Sequence, residues 1–265
     1  MPLNTSSSLP RVNILGVGIH AITMTDALQQ ITTWINQHAR AYISVCTVHT
    51  VMECQQNQPM RQAVNQADMA TPDGMPLVWL GRQKSDQPVS RVYGPDLMLA
   101  LCALSIEHGI EHGYRHFFYG GAEGVPQQLA RTMQSQFPGL QVVGAYSPPF
   151  RPFTPAEDEQ MVKIINHAQP DIIWVGLGTP KQDLWMAAQR AKLTAPVLIG
   201  VGAAFNMHTG QLRQAPMWMQ QNGLEWLFRL SQEPSRLWYR YLIYNPLFIL
   251  KVLEQMSGWR DYPIM

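Results

Sequence analysis

The stretch DIIWVGLGTPKQD, residues 171–183, is an unbroken apolar run that stops at glycine and turns into a polar segment suited to starting a helix. Continuous β-branched and aromatic residues without alternation predict a strand buried on both faces, the signature of a parallel sheet covered by helices. PVLIGVGAAFN, residues 196–206, repeats the signature. Working outward, VNILGVGI (12–19) reads as the first strand, DALQQITTWINQHA (26–39) as a helix capped by Asp26, and AYISVCTVH (41–49) as the second strand. A helix over 51–67 leads to a turn at Asp73, and Pro95-Asp96 opens another. RHFFYGG (115–121) is a strand, a helix starts near Val125, LQVVGAY (140–146) is a strand, and Pro148, Pro149, Pro152 and Pro155 mark a loop before a helix from Ala156. Strands alternating with amphipathic segments predict an α/β, Rossmann-like domain over 11–210, its mainly parallel sheet flanked by helices. Residues 1–10 read as a disordered lead-in.

After about residue 210 the texture changes. Residues 211–265 hold four of the eight tryptophans and read as a C-terminal helical appendage. Leu237, Tyr241, Tyr244 and Phe248 recur at i, i+4, i+7, i+11, which predicts one apolar helix face, with Arg236 and Arg240 together on another.

The chain has 265 residues, 46% of them hydrophobic, and a net charge of +1, so no global field recruits nucleic acid and charge must act locally. Three cysteines without a C-x-x-C spacing fit neither a disulfide framework nor a zinc site, and point to a reducing cytosol. The Ser-rich start lacks the apolar core of a signal peptide, and the run Tyr241 to Leu253 is too short and too interrupted to cross a bilayer.

In open parallel sheets ligands bind beyond the carboxyl ends of the strands. Those ends here deliver Thr47 and His49, Asp73, Gly120-Gly121, and the turn Gly178-Thr179 followed by Lys181 and Gln182. Asp73, within TPDGMPLVWL, is a carboxylate aimed by a Pro-Asp-Gly turn, able to take a proton or merely to cap the next helix. The glycines of YGGAEGVP could offer backbone N–H groups to a phosphate or simply end a strand. GVGIHA lacks the dinucleotide fingerprint. Lys181 and Gln182 suit a nucleotide or sugar hydroxyl, or an ordinary helix start. Arg229, Arg236 and Arg240 could face one phosphate site, or form a solvated face with pairs such as Glu225 with Arg229. His108, His112 and His116 have ligand-like spacing, but Gly109 and Gly113 weaken that helix, so no metal site is expected.

TPDGMPLVWL, RVYGPDLM (91–98), FYGG (118–121), GLGTPKQD, GVGAAFN (200–206), the AP-x-W-M tail (215–219) and GLEWLFRLSQEPSR (223–236), in that order, resemble the WecG/TagA/CpsF family of bacterial glycosyltransferases. The resemblance implies inverting, metal-independent and cofactor-free transfer of a hexose or N-acetylhexosamine. N-acetylmannosamine, glucose and glucuronic acid are the candidate sugars, moved from a UDP-sugar to a polyprenyl-diphosphate-linked saccharide in cell-surface polysaccharide biosynthesis. Asp73 would be the base, Thr47 and Gln182 contacts of the nucleotide sugar, and Arg229, Arg236 and Arg240 a lid over the leaving diphosphate. His49 stands where the family pattern has Asn, and no D-x-D metal motif is present. The acceptor and the aromatic tail together imply a cytoplasmic protein peripherally attached to the inner face of the membrane, or a homo-oligomer interface at the same aromatics. A non-catalytic nucleotide or saccharide binding module on the same scaffold is the alternative, and a nicotinamide dehydrogenase ranks below it.

Overall fold

The computed structural model describes residues 9–107 and 113–264. Most of the expected lead-in, together with His108 and His112, lies outside the described residues. The elements run β1 (Arg11–Ile14), β2 (Val17–His20), α1 (Met24–Asn36), β3 (Ala41–Cys46), α2 (Val48–Gln56), α3 (Gln58–Asn65), β4 (Met69–Pro72), α4 (Met75–Lys84), α5 (Gly94–Glu107) and β5 (Arg115–Gly120). Then follow α6 (Val125–Gln136), β6 (Gln141–Tyr146), α7 (Pro155–Ala168), β7 (Ile172–Gly176), α8 (Lys181–Gln189), β8 (Val197–Gly200) and α9 (Ala204–His208). The chain closes with α10 (Met217–Gln221), α11 (Glu225–Gln232), α12 (Pro234–Trp238), a π turn (Tyr239–Ile243) and α13 (Tyr244–Met256).

Six strands pair in parallel in the order β4-β3-β8-β7-β5-β6, flanked by helices. The fold is α/β and Rossmann-like, with a C-terminal set of helices. Strand alternation sends neighbouring residues of β7 to opposite faces. Trp174 joins Ile31, Leu101, Leu129 and Phe205 on one side, while Ile173 and Val175 join Met161, Ile165 and Met186 on the other. This double burial is why the run at 172–176 is apolar throughout.

Several expected boundaries move. VNILGVGI is not a strand of the main sheet: it folds as an antiparallel two-stranded hairpin, with Ile14 opposite Val17 and a two-residue turn at Leu15-Gly16. Both turn residues have positive φ, 51° and 78°, the backbone that matches hairpin twist. The Asn13 side chain accepts the Gly16 N–H and steadies the turn. Helix α1 is capped by Thr23, with Asp26 three residues on completing a reciprocal capping box. Strand β3 stops at Cys46 because the Thr47 side chain caps α2, which moves His49 from a strand end into the first turn of a helix. Asn57 caps α3 and splits the helix expected over 51–67 in two. The apolar run after β8 bends at Gly202, φ 52°, into short α9.

His116 is a core histidine on β5, fully buried, accepting from Trp174 Nε1 at 2.9 Å and bonded through Nε2 to Ser105 Oγ at 2.8 Å. Burial lowers its pKa to about 3, so it is neutral. Among the described residues no three His, Cys, Asp or Glu side chains gather as a metal site.

The C-terminal helices do not stand apart. Leu237, Tyr241, Tyr244 and Phe248 are all buried, and Tyr244, Phe248, Val252 and Tyr262 share a core with the hairpin, α2 and α4. Gln255 accepts the Leu15 N–H, and Asn13 donates to the Tyr262 carbonyl, so the end of the chain holds its beginning.

Candidate active site

Beyond the carboxyl ends of β3, β4, β5, β7 and β8 lies a cavity of about 1260 Å³, roofed by α10 to α13. It exceeds the several hundred Å³ typical of a pocket for one small ligand. Asp73, Thr47, His49, Gly121, Gly178, Thr179, Gln182, Arg229, Arg236 and Arg240 all line it. Gly120 and Lys181 do not: Lys181 is exposed at the start of α8, and Gly120 sits against the β7 backbone, where an added Cβ would lie 2.6 Å from the Gly176 carbonyl carbon.

Asp73 follows β4 directly, its N–H held by the Cys46 carbonyl at 2.9 Å. It does not cap α4, whose N-cap is Gly74 and which has no side-chain cap. The carboxylate turns instead to Arg91, whose Nε and Nη2 donate to Oδ1 at 3.3 and 3.2 Å, while Nε also donates to the Asp73 carbonyl at 2.6 Å. No described residue hydrogen-bonds Oδ2. Asp73 is 9% exposed, and burial raises its pKa to about 6 against the pull of Arg91. That value suits a base working near neutrality.

Arg91 carries three further contacts: Nη1 donates to Gln220 Oε1 at 3.0 Å, Nη2 donates to Glu225 Oε2, and the guanidinium lies 3.8 Å over the Tyr93 ring. Tyr93 OH donates to Glu225 Oε1 at 3.1 Å. Glu225 therefore pairs across the chain with Arg91, not along its helix with Arg229. Arg91, Tyr93, Gln220 and Glu225 line the cavity; read from sequence, Glu225 has only a pair with Arg229 and the other three have no role. One sequence signal existed: Arg91 is the sole Lys or Arg between Lys84 and Arg115.

The three arginines of the roof differ. Arg236 is exposed and ion-paired with Glu233 at 2.6 Å. Arg229 and Arg240 carry buried Nε atoms with no hydrogen-bond partner among the described residues, and Gln232 has a buried, unpartnered Nε2 beside them. Buried donors without acceptors are costly, and an acceptor entering the cavity at this wall would relieve that cost. His49 stacks on Tyr244, ring centres 5.9 Å apart, and burial followed by the charges of Arg240 and Arg229 lowers its pKa to about 3. It is a neutral hydrogen-bonding group facing the same space.

Opposite, Gln182 is buried and its Oε1 accepts the N–H groups of Gly178 and Gly202 at 3.2 and 3.0 Å, tying the turns after β7 and β8 together. Asp183 beneath it accepts from Ser44 Oγ at 2.5 Å and Thr179 Oγ1 at 3.1 Å. Thr47 caps α2 and Gly121 donates to the Gly176 carbonyl at 2.9 Å, so both hold the rim as well as line it.

The model of the glycosyl transferase WecG/TagA/CpsF family matches residues 12–261. The chain belongs to this family. Among its relatives, proteins of Bacillus subtilis and Bacillus spizizenii, each named N-acetylglucosaminyldiphosphoundecaprenol N-acetyl-beta-D-mannosaminyltransferase, are 28% and 27% identical. The first match covers 94% of this chain and 93% of the relative, the second 84% and 82%. A Staphylococcus aureus protein of the same name is 25% identical, with 96% of each chain covered.

Proposed function

We propose that this chain transfers N-acetylmannosamine, with inversion and without a metal, from a UDP-sugar to an N-acetylglucosaminyl polyprenyl diphosphate. The observation that carries the reading is a buried carboxylate, Asp73, with one oxygen that no described residue engages, in the same cavity as Arg229 and Arg240, whose buried Nε atoms have no partner among the described residues. The names of the relatives support the sugar and the acceptor, and set glucose and glucuronic acid behind it. In the reaction the acceptor hydroxyl gives its proton to Asp73 as its oxygen bonds to the anomeric carbon. The bond from that carbon to the diphosphate oxygen breaks, and UDP leaves with the electron pair. Asp73 acts as general base, and the arginines take up the charge appearing on the diphosphate. Thr47, His49, Gly121, Gly178, Thr179 and Gln182 are the proposed donor contacts, and Arg236 joins the arginines once released from Glu233.

The lipid-linked acceptor asks for a membrane surface. Among the described residues no helix is long and apolar enough to cross one. Ile249, Leu250, Leu253 and Met256 of α13 are exposed, as are Trp238, Leu242 and Trp259 at its two ends. An apolar helix face flanked by aromatic residues suits insertion into the headgroup boundary. We therefore read 11–210 as the catalytic domain and 211–265 as both lid and membrane contact, on the inner face of the cytoplasmic membrane.

The test is transfer from UDP-N-acetylmannosamine to a short-chain N-acetylglucosaminyl polyprenyl diphosphate. Asp73→Asn should fold, bind UDP and lose turnover by about 10²- to 10⁴-fold. Near-native transfer by that variant would sink the base assignment. UDP binding without product from any UDP-sugar would favour a non-catalytic binding module instead.

A further inference from the structure

Arg91 is held from two bodies at once. From the sheet side, Asp73 takes Nε and Nη2 through Oδ1 at 3.3 and 3.2 Å, long for a charge-assisted pair. From the C-terminal side, Glu225 takes Nη2 in a shorter contact and Gln220 takes Nη1 at 3.0 Å. Glu225 is fixed in turn by Tyr93 OH, and Gln220 by its own bond to the Ala215 carbonyl at 2.8 Å. Two carboxylates thus compete for one guanidinium: Asp73 engages it through the long Oδ1 contacts and its own carbonyl at 2.6 Å, and Glu225 engages it from α11.

We infer that Glu225 is a positioning residue: by holding Arg91 from α11, it keeps the guanidinium from closing fully on Asp73, so the base is ready to take a proton only while the C-terminal helices are seated. The inference rests on the reading of Asp73 as the base. The groups acting on Asp73 are Arg91 and Tyr93 from the segment before α5, Glu225 and Arg229 from α11, Arg240 from the π turn, and Cys46 at the end of β3. Of these Arg91 lowers its proton affinity most, Arg229 lowers it less and Glu225 raises it, so removing the Glu225 charge leaves the two arginines without that counterweight. Asp73 then becomes the weaker base. The consequence is a coupling between chemistry and lid: the helices that bring Arg229 and Arg240 over the diphosphate also bring the group that keeps Asp73 basic. An unseated lid would leave Asp73 clamped by Arg91.

The experiment uses full-length Glu225→Gln, with transfer to the short-chain acceptor followed across pH and UDP affinity measured separately. The expected result is an acidic limb of kcat displaced downward by about 1 pH unit, with a plateau about three- to tenfold lower. UDP affinity should stay within about threefold, because Arg229 and Arg240 remain in place. Glu225→Asp should recover part of both changes. Tyr93→Phe, which frees Glu225 without removing its charge, should shift the limb in the same direction by less and serves if Glu225→Gln folds poorly. An unmoved limb overturns the inference even if activity falls, and so does a loss of UDP affinity parallel to the loss of turnover, which would mark Glu225 as a docking contact only. Failure of the base reading is seen separately, in near-native transfer by Asp73→Asn.

Discussion

At the scale of single residues the cavity separates charge by function. Asp73 loses water on burial and recovers only part of that loss from a long, shared contact with Arg91, so its proton affinity rises. A general base must be ionised to act. With its pKa at about 6, kcat/KM should hold above neutrality and fall as pH drops through about 6, about tenfold per unit below it; a profile flat down to pH 5 would speak against Asp73. Arg229 and Arg240 present the opposite case, cations whose Nε atoms have no acceptor among the described residues. A hydrogen bond to a charged group is worth about 1.5–3 kcal/mol, so Arg229→Ala should weaken UDP binding by roughly ten- to hundredfold in titration calorimetry. The loss should shrink as salt is raised, because salt screens the attraction that the substitution removes. Equal loss at low and high salt would argue that Arg229 acts through packing.

At the scale of elements, glycines at the sheet's carboxyl edge set how closely the strands approach. Gly120, φ 128°, faces the β7 backbone, and a Cβ would stand 2.6–2.8 Å from three Gly176 backbone atoms. Gly124, φ 79°, has nothing within 4 Å of an added Cβ. Gly120→Ala should therefore cost about 2–4 kcal/mol and lower Tm by roughly 5–15 °C, while Gly124→Ala should cost only its backbone strain, about 1–2 kcal/mol. Equal thermal shifts would mean that β5 and β7 part freely. The same scale shows what sequence could reveal. Strands β7 and β5 were legible because burial on both faces removes polar residues. The hairpin was not, because Leu15 takes a left-handed backbone that leucine rarely announces, in a run as apolar as a core strand. The end of β3 was missed for a similar reason, since Thr47 and His49 extend its pattern while the Thr47 hydroxyl is already capping α2. Asp73 was legible as a directed carboxylate, but not its partner. Arg91 lies in an irregular segment with no periodicity, and Glu225 is 134 residues away in sequence.

At the scale of the whole molecule, the C-terminal helices are apolar on two faces for two reasons. The inward set, Tyr244, Phe248 and Val252, completes the core shared with the hairpin. Spacing alone marked this face as apolar, but could not say whether protein or membrane covers it. Of the outward set, Leu250 and Met256 are exposed and lie clear of the cavity, whereas Ile249 and Leu253 are exposed and also line it. Removing the appendage would uncover the hairpin, α2 and α4 residues that the first set packs against and strip Glu225 from Arg91, so a truncated chain confounds folding, chemistry and docking. Substitution on the outward face separates them. Leu250→Glu with Met256→Glu should leave Tm within a few degrees, because both residues are about half exposed and neither lines the cavity. Each such apolar side chain gives up about 1.5–3 kcal/mol on leaving an apolar phase, so the pair should weaken binding to anionic vesicles by about 10²-fold or more in sedimentation. Transfer to a short-chain, water-soluble acceptor should proceed at the native rate, and transfer to a long-chain acceptor in vesicles should fall with binding. Undiminished vesicle binding by a folded double variant would remove α13 as the membrane contact. A change from dimer to monomer in the same variant would assign that face to a second copy of the chain.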